Sequence, residues 1–284
     1  MLFKKQICNN CKSEYDPLND SCPLCGQHND NMPEYAVGKG NVVMSITHQI
    51  ISFVLVLFGI PLVTSFCFYA AAIAEGNLTA ATPADLSQNS YLFVQISGYV
   101  FAAFVATFLI VKNWGALSKH LKKIPPYIIG IVFGFASVGL QTLYNLLLQS
   151  LGVVVSININ EETLDSFIYV FPAISIILFG IIGPIIEELG FRCGLFSFLT
   201  RINRVLAYIV TILVFALAHM SFEFLLNKDW AGFGNEMLNL PIYLLGGAVL
   251  TFAYDKFGPQ CSALAHIVNN LFAIISLLIG IQTL

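Results

Sequence analysis

Two adjacent carboxylates, an arginine, two histidines and an asparagine lie in stretches otherwise poor in polar residues. Glu187, Glu188 and Arg192 occur in Pro184-Ile-Ile-Glu-Glu-Leu-Gly-Phe-Arg, His219 ends Phe215-Ala-Leu-Ala-His, and His266 and Asn270 lie in His-Ile-Val-Asn-Asn. Glu188 and Arg192 are four apart, so they meet on one helical face, and His266 and Asn270 share a face for the same reason. Glu187 is turned about 100° away from Glu188. The set offers one paired carboxylate, one free carboxylate, two imidazoles and an amide. A free carboxylate in poorly hydrated surroundings can act as a general base, and N–H donors stabilise developing negative charge. One Glu and two His are also the ligand set of a catalytic zinc with water in the fourth position. The chain has no His-Glu-x-x-His segment of the kind that holds zinc in soluble proteases. Taken singly, each residue could equally tie helices together by hydrogen bonds.

A second constellation lies near the amino terminus. Cys8-Asn-Asn-Cys11 and Cys22-Pro-Leu-Cys25 are separated by ten residues. Two residues between cysteines let both sulfurs face one metal from a tight turn, so Cys8, Cys11, Cys22 and Cys25 read as a structural Zn²⁺ site. A closed four-thiolate shell leaves no position for chemistry, and His28 is not needed to fill it. So small a segment has almost no core, and the metal supplies its folding energy. Two disulfides are the alternative, which a reducing cytosolic location disfavours. The segment resembles the short zinc ribbons attached to many bacterial membrane proteins. The expected organisation is a ribbon over 1–30, a linker over 31–45 rich in Asn, Asp and Gly, and a transmembrane domain over 46–284. Interaction or regulation, with a protein partner, is the expected use of the ribbon.

The elements that must position the first constellation are membrane helices. Of 284 residues, 57% are hydrophobic and 10% charged, against roughly 25% charged in an average soluble domain. Net charge is −3, which points away from a nucleic-acid partner. Continuous apolar runs, rather than alternating ones, exclude a membrane barrel. Spans of about 20 residues are expected near 46–74, 91–111, 127–149, 166–199, 205–220, 239–254 and 262–282. The fold class is an all-α polytopic membrane protein with about seven transmembrane helices preceded by a zinc ribbon. Pro61 and Gly183-Pro184 are expected to kink the first and fourth spans. The first run begins after a polar head, so it is not read as a cleavable signal. With the amino terminus in the cytosol and the carboxyl terminus outside, twelve of thirteen basic residues fall on the cytosolic side, Lys228 excepted. Glu187 then lies about 21 Å along its helix from Arg201, His219 about 22 Å from Arg204, and His266 about 15 Å from Lys256. All three can share one membrane layer.

The ordered pattern Glu187-Glu188-x-x-x-Arg192, Phe215-x-x-x-His219, His266-x-x-x-Asn270 resembles the CAAX-protease and bacteriocin-processing family over roughly residues 167–282. One departure is Cys193, where a glycine often follows the arginine; Gly194 comes one later. The resemblance implies an intramembrane endopeptidase acting on a membrane-associated peptide or lipidated protein, with the bilayer itself a partner. Glu187 would be the base that activates water, and His219 would hold that water. His266 and Asn270 would donate to the oxyanion, while Glu188 and Arg192 brace the site. A zinc-dependent version of the same protease, a non-catalytic immunity or scaffold protein retaining the fold, and a transporter remain open at this point. A catalytic metal is not assigned.

Overall fold

The computed structural model describes residues 5–17, 19, 21–30 and 42–280. Most of the expected linker, residues 31–41, lies outside the described residues, as do Lys4 and Lys39 of the charge argument.

The amino-terminal unit is a two-stranded ribbon. Strands β1 (Gln6–Ile7) and β2 (Glu14–Tyr15) pair antiparallel, with Gln6 opposite Tyr15. Each cysteine pair closes a tight turn, through Lys12 N–H to Cys8 O and Gly26 N–H to Cys22 O. The residue after each pair takes the left-handed conformation, Lys12 at φ 60° and Gly26 at φ 74°. Glycine adopts that conformation without the Cβ clash that lysine must tolerate.

Ten helices follow among the described residues. They are α1 (Ile46–Glu75), α2 (Gln88–Lys112), α3 (Trp114–Leu121), α4 (Pro125–Ser150), α5 (Ile159–Val170), α6 (Pro172–Leu199), α7 (Arg204–Leu217), α8 (Glu223–Leu226), α9 (Trp230–Phe257) and α10 (Pro259–Leu278). Six are long and apolar enough to cross a membrane, and α7, of 14 residues, is the seventh and shortest candidate. Large apolar side chains such as Phe58, Leu62, Phe66, Phe104 and Val132 point outward, as a lipid environment requires.

The boundaries differ from the periodicity reading in two places. The expected fourth span, 166–199, is divided: α5 ends at Val170 and Pro172 opens α6, since proline has no N–H to continue a helix. The sixth, expected as a short 239–254, extends to 28 residues because its first turns carry tolerated polar groups. Pro61 and Pro184 are accommodated by wide π-helical turns just before them, Leu55–Gly59 and Leu178–Ile182. Such a turn relieves the clash between the proline ring and the preceding carbonyls.

Helix α6 is the axis of the bundle, the most protein-enclosed of the long helices. It widens again into π-helical turns over Glu188–Phe196. Carbonyls there are met by side chains, Ser52 Oγ donating to Leu189 O at 2.9 Å and Ser197 Oγ to Arg192 O at 3.0 Å. Helix α10 packs closely on α4 over Gly130 and Gly134; a Cβ at Gly134 would lie 2.8 Å from Ala265 O. These small residues let the two backbones approach, which fixes the height of neighbouring His266.

The two ends of the bundle are distinct. One gathers the ribbon, the α2–α3 corner, Arg201 and the α9–α10 junction. Asp16 pairs with Arg201, Gly115 N–H donates to Pro23 O at 3.1 Å, and Gln260 Nε2 donates to His120 O at 2.7 Å. Gly26 and Gly115 pack backbone to backbone with no room for a side chain. The opposite end joins 150–160 to 220–236, through Ser156 N–H to Asn235 Oδ1 at 2.9 Å and Ile159 N–H to Glu236 Oε1 at 3.1 Å. Arg192, counted above among the cytosolic charges, does not belong in that count. It is fully buried inside the bundle.

Candidate active site

The buried charges are built on α6. Arg192 Nη1 donates to Glu188 Oε1 at 2.8 Å, and Nη2 reaches Gly247 O at 3.4 Å. Its guanidinium also lies 4.3 Å from the Phe215 ring centroid. Both side chains of this pair are essentially inaccessible, 0% and 3% exposed. A charge pair so placed survives only with nearly ideal geometry, because each ion has lost its hydration.

The same carboxylate holds a histidine. His266 Nδ1 lies 3.0 Å from Glu188 Oε1, and since a carboxylate accepts, Nδ1 carries the proton. His219 Nδ1 lies 2.8 Å from the Phe215 carbonyl, so it too is the protonated nitrogen. Both rings therefore aim Nε2 away from their anchors, and both aim it at Glu187. Glu187 Oε2 lies 3.8 Å from His219 Nε2 and 3.8 Å from His266 Nε2. That oxygen is buried and has no hydrogen-bond partner. The separations exceed a hydrogen bond but suit one small molecule about 2.8 Å from each group.

Asn270 sits one turn beyond His266 on α10, where Nδ2 donates to Phe179 O at 3.1 Å. This anchors it to α6 and uses one of its two amide hydrogens. The structure thus brings Glu187, Glu188, Arg192, His219 and His266 into contact, with Asn270 on the adjoining turn.

Tyr243 was not singled out by spacing. Its ring stacks on His219, centroids 4.7 Å apart and planes 22° apart. The available signal was weak, because the same span also carries Tyr254, Asn239 and Thr251. Phe215, present in the sequence pattern only as an apolar residue, touches both imidazoles and the guanidinium.

Among the described residues, Cys8, Cys11, Cys22 and Cys25 form a group whose ligand atoms all lie within 4.8 Å of one another. Cys8 Sγ is 3.5 Å from Cys25 Sγ and Cys11 Sγ is 3.6 Å from Cys22 Sγ, with all four thiols free. Tetrahedral zinc–thiolate geometry spaces sulfurs by about 3.8 Å, so this set could bind zinc. The Ser13 hydroxyl and N–H hold the Cys11 thiol down to about 6, toward the thiolate a metal needs, whereas burial pushes the Cys25 thiol up to about 11. His28 bridges to Ser21 and stands outside the set. Glu187, His219 and His266 have suitable donor atoms but do not form such a group.

This is a polytopic helical membrane protein whose polar centre is assembled between helices from three separate segments, with Glu187 and His219 only partly buried. Residues 169–272, which carry all of that centre, match the family described as Type II CAAX prenyl endopeptidase Rce1-like. The match supports CAAX-type intramembrane protease activity. No curated protein matches the chain, and no solved structure does.

Proposed function

We propose that the protein hydrolyses a peptide bond in a membrane-associated substrate by a metal-free mechanism with Glu187 as the base. The observation that carries this reading is the unpartnered Glu187 Oε2 between two imidazole Nε2 atoms. A buried acceptor without a partner is rare in folded proteins and costly to maintain. Glu187 removes a proton from water as the oxygen attacks the scissile carbonyl, and later passes that proton to the departing amine. His219 Nε2, unprotonated, accepts the water's second hydrogen and orients it.

Charge balance assigns His266. Glu187, Glu188 and Arg192 alone leave the buried centre at net −1, and an imidazolium at His266 brings it to zero. As an imidazolium held at Nδ1 by Glu188, His266 donates from Nε2 to the developing oxyanion. The second N–H of Asn270 is the other donor. Each such donor supplies about 3 kcal/mol to the transition state. Were Glu187, His219 and His266 zinc ligands instead, Glu188 would be the carboxylate left as base. Its Oε1 binds both Arg192 and His266, which hold it as a fixed anion, although its Oε2 is buried without a hydrogen-bond partner.

Metal analysis of the full chain tests this reading. About one zinc per chain is expected, carried by Cys8, Cys11, Cys22 and Cys25. It is lost when all four are replaced by serine, with the remaining protein zinc-free. A second equivalent that survives those replacements overturns the metal-free mechanism. Comparing membrane peptides from cells carrying wild type and Glu187→Gln would identify the substrate.

The reading places the ribbon end in the cytosol and the opposite end outside. On the outer side Asn158 is 1% exposed, whereas Val154 just before it is 91% exposed. A cysteine at Val154 is expected to react only with external thiol reagents, and one at exposed Lys122 only after permeabilisation. The reverse pattern would refute the orientation.

A further inference from the structure

We propose that Tyr243 is a positioning residue for His219, turning its Nε2 toward Glu187. The proposal deepens the proposed function, since it assumes the water-holding role of His219 for its activity arm alone.

His219 lies just past the carboxyl end of α7, where the chain leaves the helix in a turn. Its ring has one hydrogen bond, Nδ1–H to Phe215 O, and one bond does not prevent rotation about the Cβ–Cγ axis. What opposes rotation is Tyr243, nearly parallel to the imidazole at 22°. Turning the imidazole would drive its edge into the phenol ring. Phe215, tilted at 49° with its centroid 4.7 Å away, limits the remaining freedom.

Tyr243 is itself fixed. Its hydroxyl donates to Glu161 Oε1 at 3.1 Å and accepts from Asn158 Nδ2 at 3.0 Å. The same Asn158 amide reaches His219 O at 3.4 Å, and Asn158 Oδ1 caps α5 by accepting from Glu161 N–H at 2.8 Å. One asparagine therefore ties the backbone of His219 and the ring beside it to the start of α5. Backbone and side chain of the histidine are located by a single cluster, as a water-orienting group requires.

The test uses the full chain in lipid nanodiscs with ¹⁵N-labelled histidine. Only five histidines contribute signals, and His219→Gln assigns those of His219. Wild type is expected to show His219 in the Nδ1–H form alone. Tyr243→Leu is expected to mix the two neutral forms, while Tyr243→Phe, which keeps the stacked ring, stays close to wild type. Should Tyr243→Leu not fold, Tyr243→Met replaces it. Against a farnesylated CAAX peptide, the Leu variant should lose about 10²-fold in kcat with KM little changed, as expected when a catalytic group is misplaced. An unaltered His219 spectrum in the Leu or Met variant overturns the proposal. If wild type cleaves no such peptide, that substrate reading fails on its own, and the spectrum still decides the role of Tyr243.

Discussion

Glu187→Gln is expected to lower kcat by at least about 10²–10⁴-fold, the range for removing a general base, while leaving the protein folded and inserted. Glutamine has the same shape and can still touch a water, but it cannot take its proton. No hydrogen bond of the fold is lost with the Glu187 Oε2 charge, because that oxygen makes none, Arg192 is bonded to Glu188, and His266 can give up the proton that balanced it. Loss of activity should therefore appear with an unchanged melting temperature and little change in KM. Accumulation of an uncleaved membrane peptide in cells carrying the variant would be the corresponding result in vivo. Full activity in Glu187→Gln would remove this residue from the chemistry and restore the non-catalytic reading of the fold.

Arg192→Leu is expected to act on stability instead. Removing one partner of a buried ion pair leaves an uncompensated charge and costs about 3–5 kcal/mol. Glu188 has no water to turn to, its side chain being 3% exposed, and its other ionic contact is His266. The variant should melt well below wild type in detergent, or fail to accumulate. Adding Glu188→Gln removes the stranded charge and keeps an oxygen for His266 Nδ1, so the double variant should recover most of the loss. A single variant as stable as wild type would show that the pair is not what braces α6.

Much of this architecture was legible in the chain because membranes make simple demands. Hydrocarbon excludes charge, so runs such as 46–74 and 91–111 announce helices directly, and α1 and α2 lie there. Spacing of four placed Glu188 beside Arg192, which are in contact at 2.8 Å. The two Cys-x-x-Cys turns likewise need only local geometry, and their four sulfurs converge. The break at Phe171–Pro172 and the early start of α9 were not recoverable, because apolar composition continues across the first and polar groups are tolerated in the second.

The sequence by itself determined the membrane class, the helical period and which residue types were available for chemistry, since each depends on neighbours within a turn or two. Only the tertiary structure decided which groups meet. Tyr243 reaches His219 from another helix, His266 reaches Glu188 across 78 residues, and Asp16 of the ribbon reaches Arg201. Arg192 and Arg201 look alike as charges near the end of an apolar run, yet one braces the interior and the other receives the ribbon. Inside a membrane, a side chain facing lipid and one facing another helix are equally apolar. Periodicity therefore cannot tell them apart, and the partners of the few polar residues are set by how the helices pack.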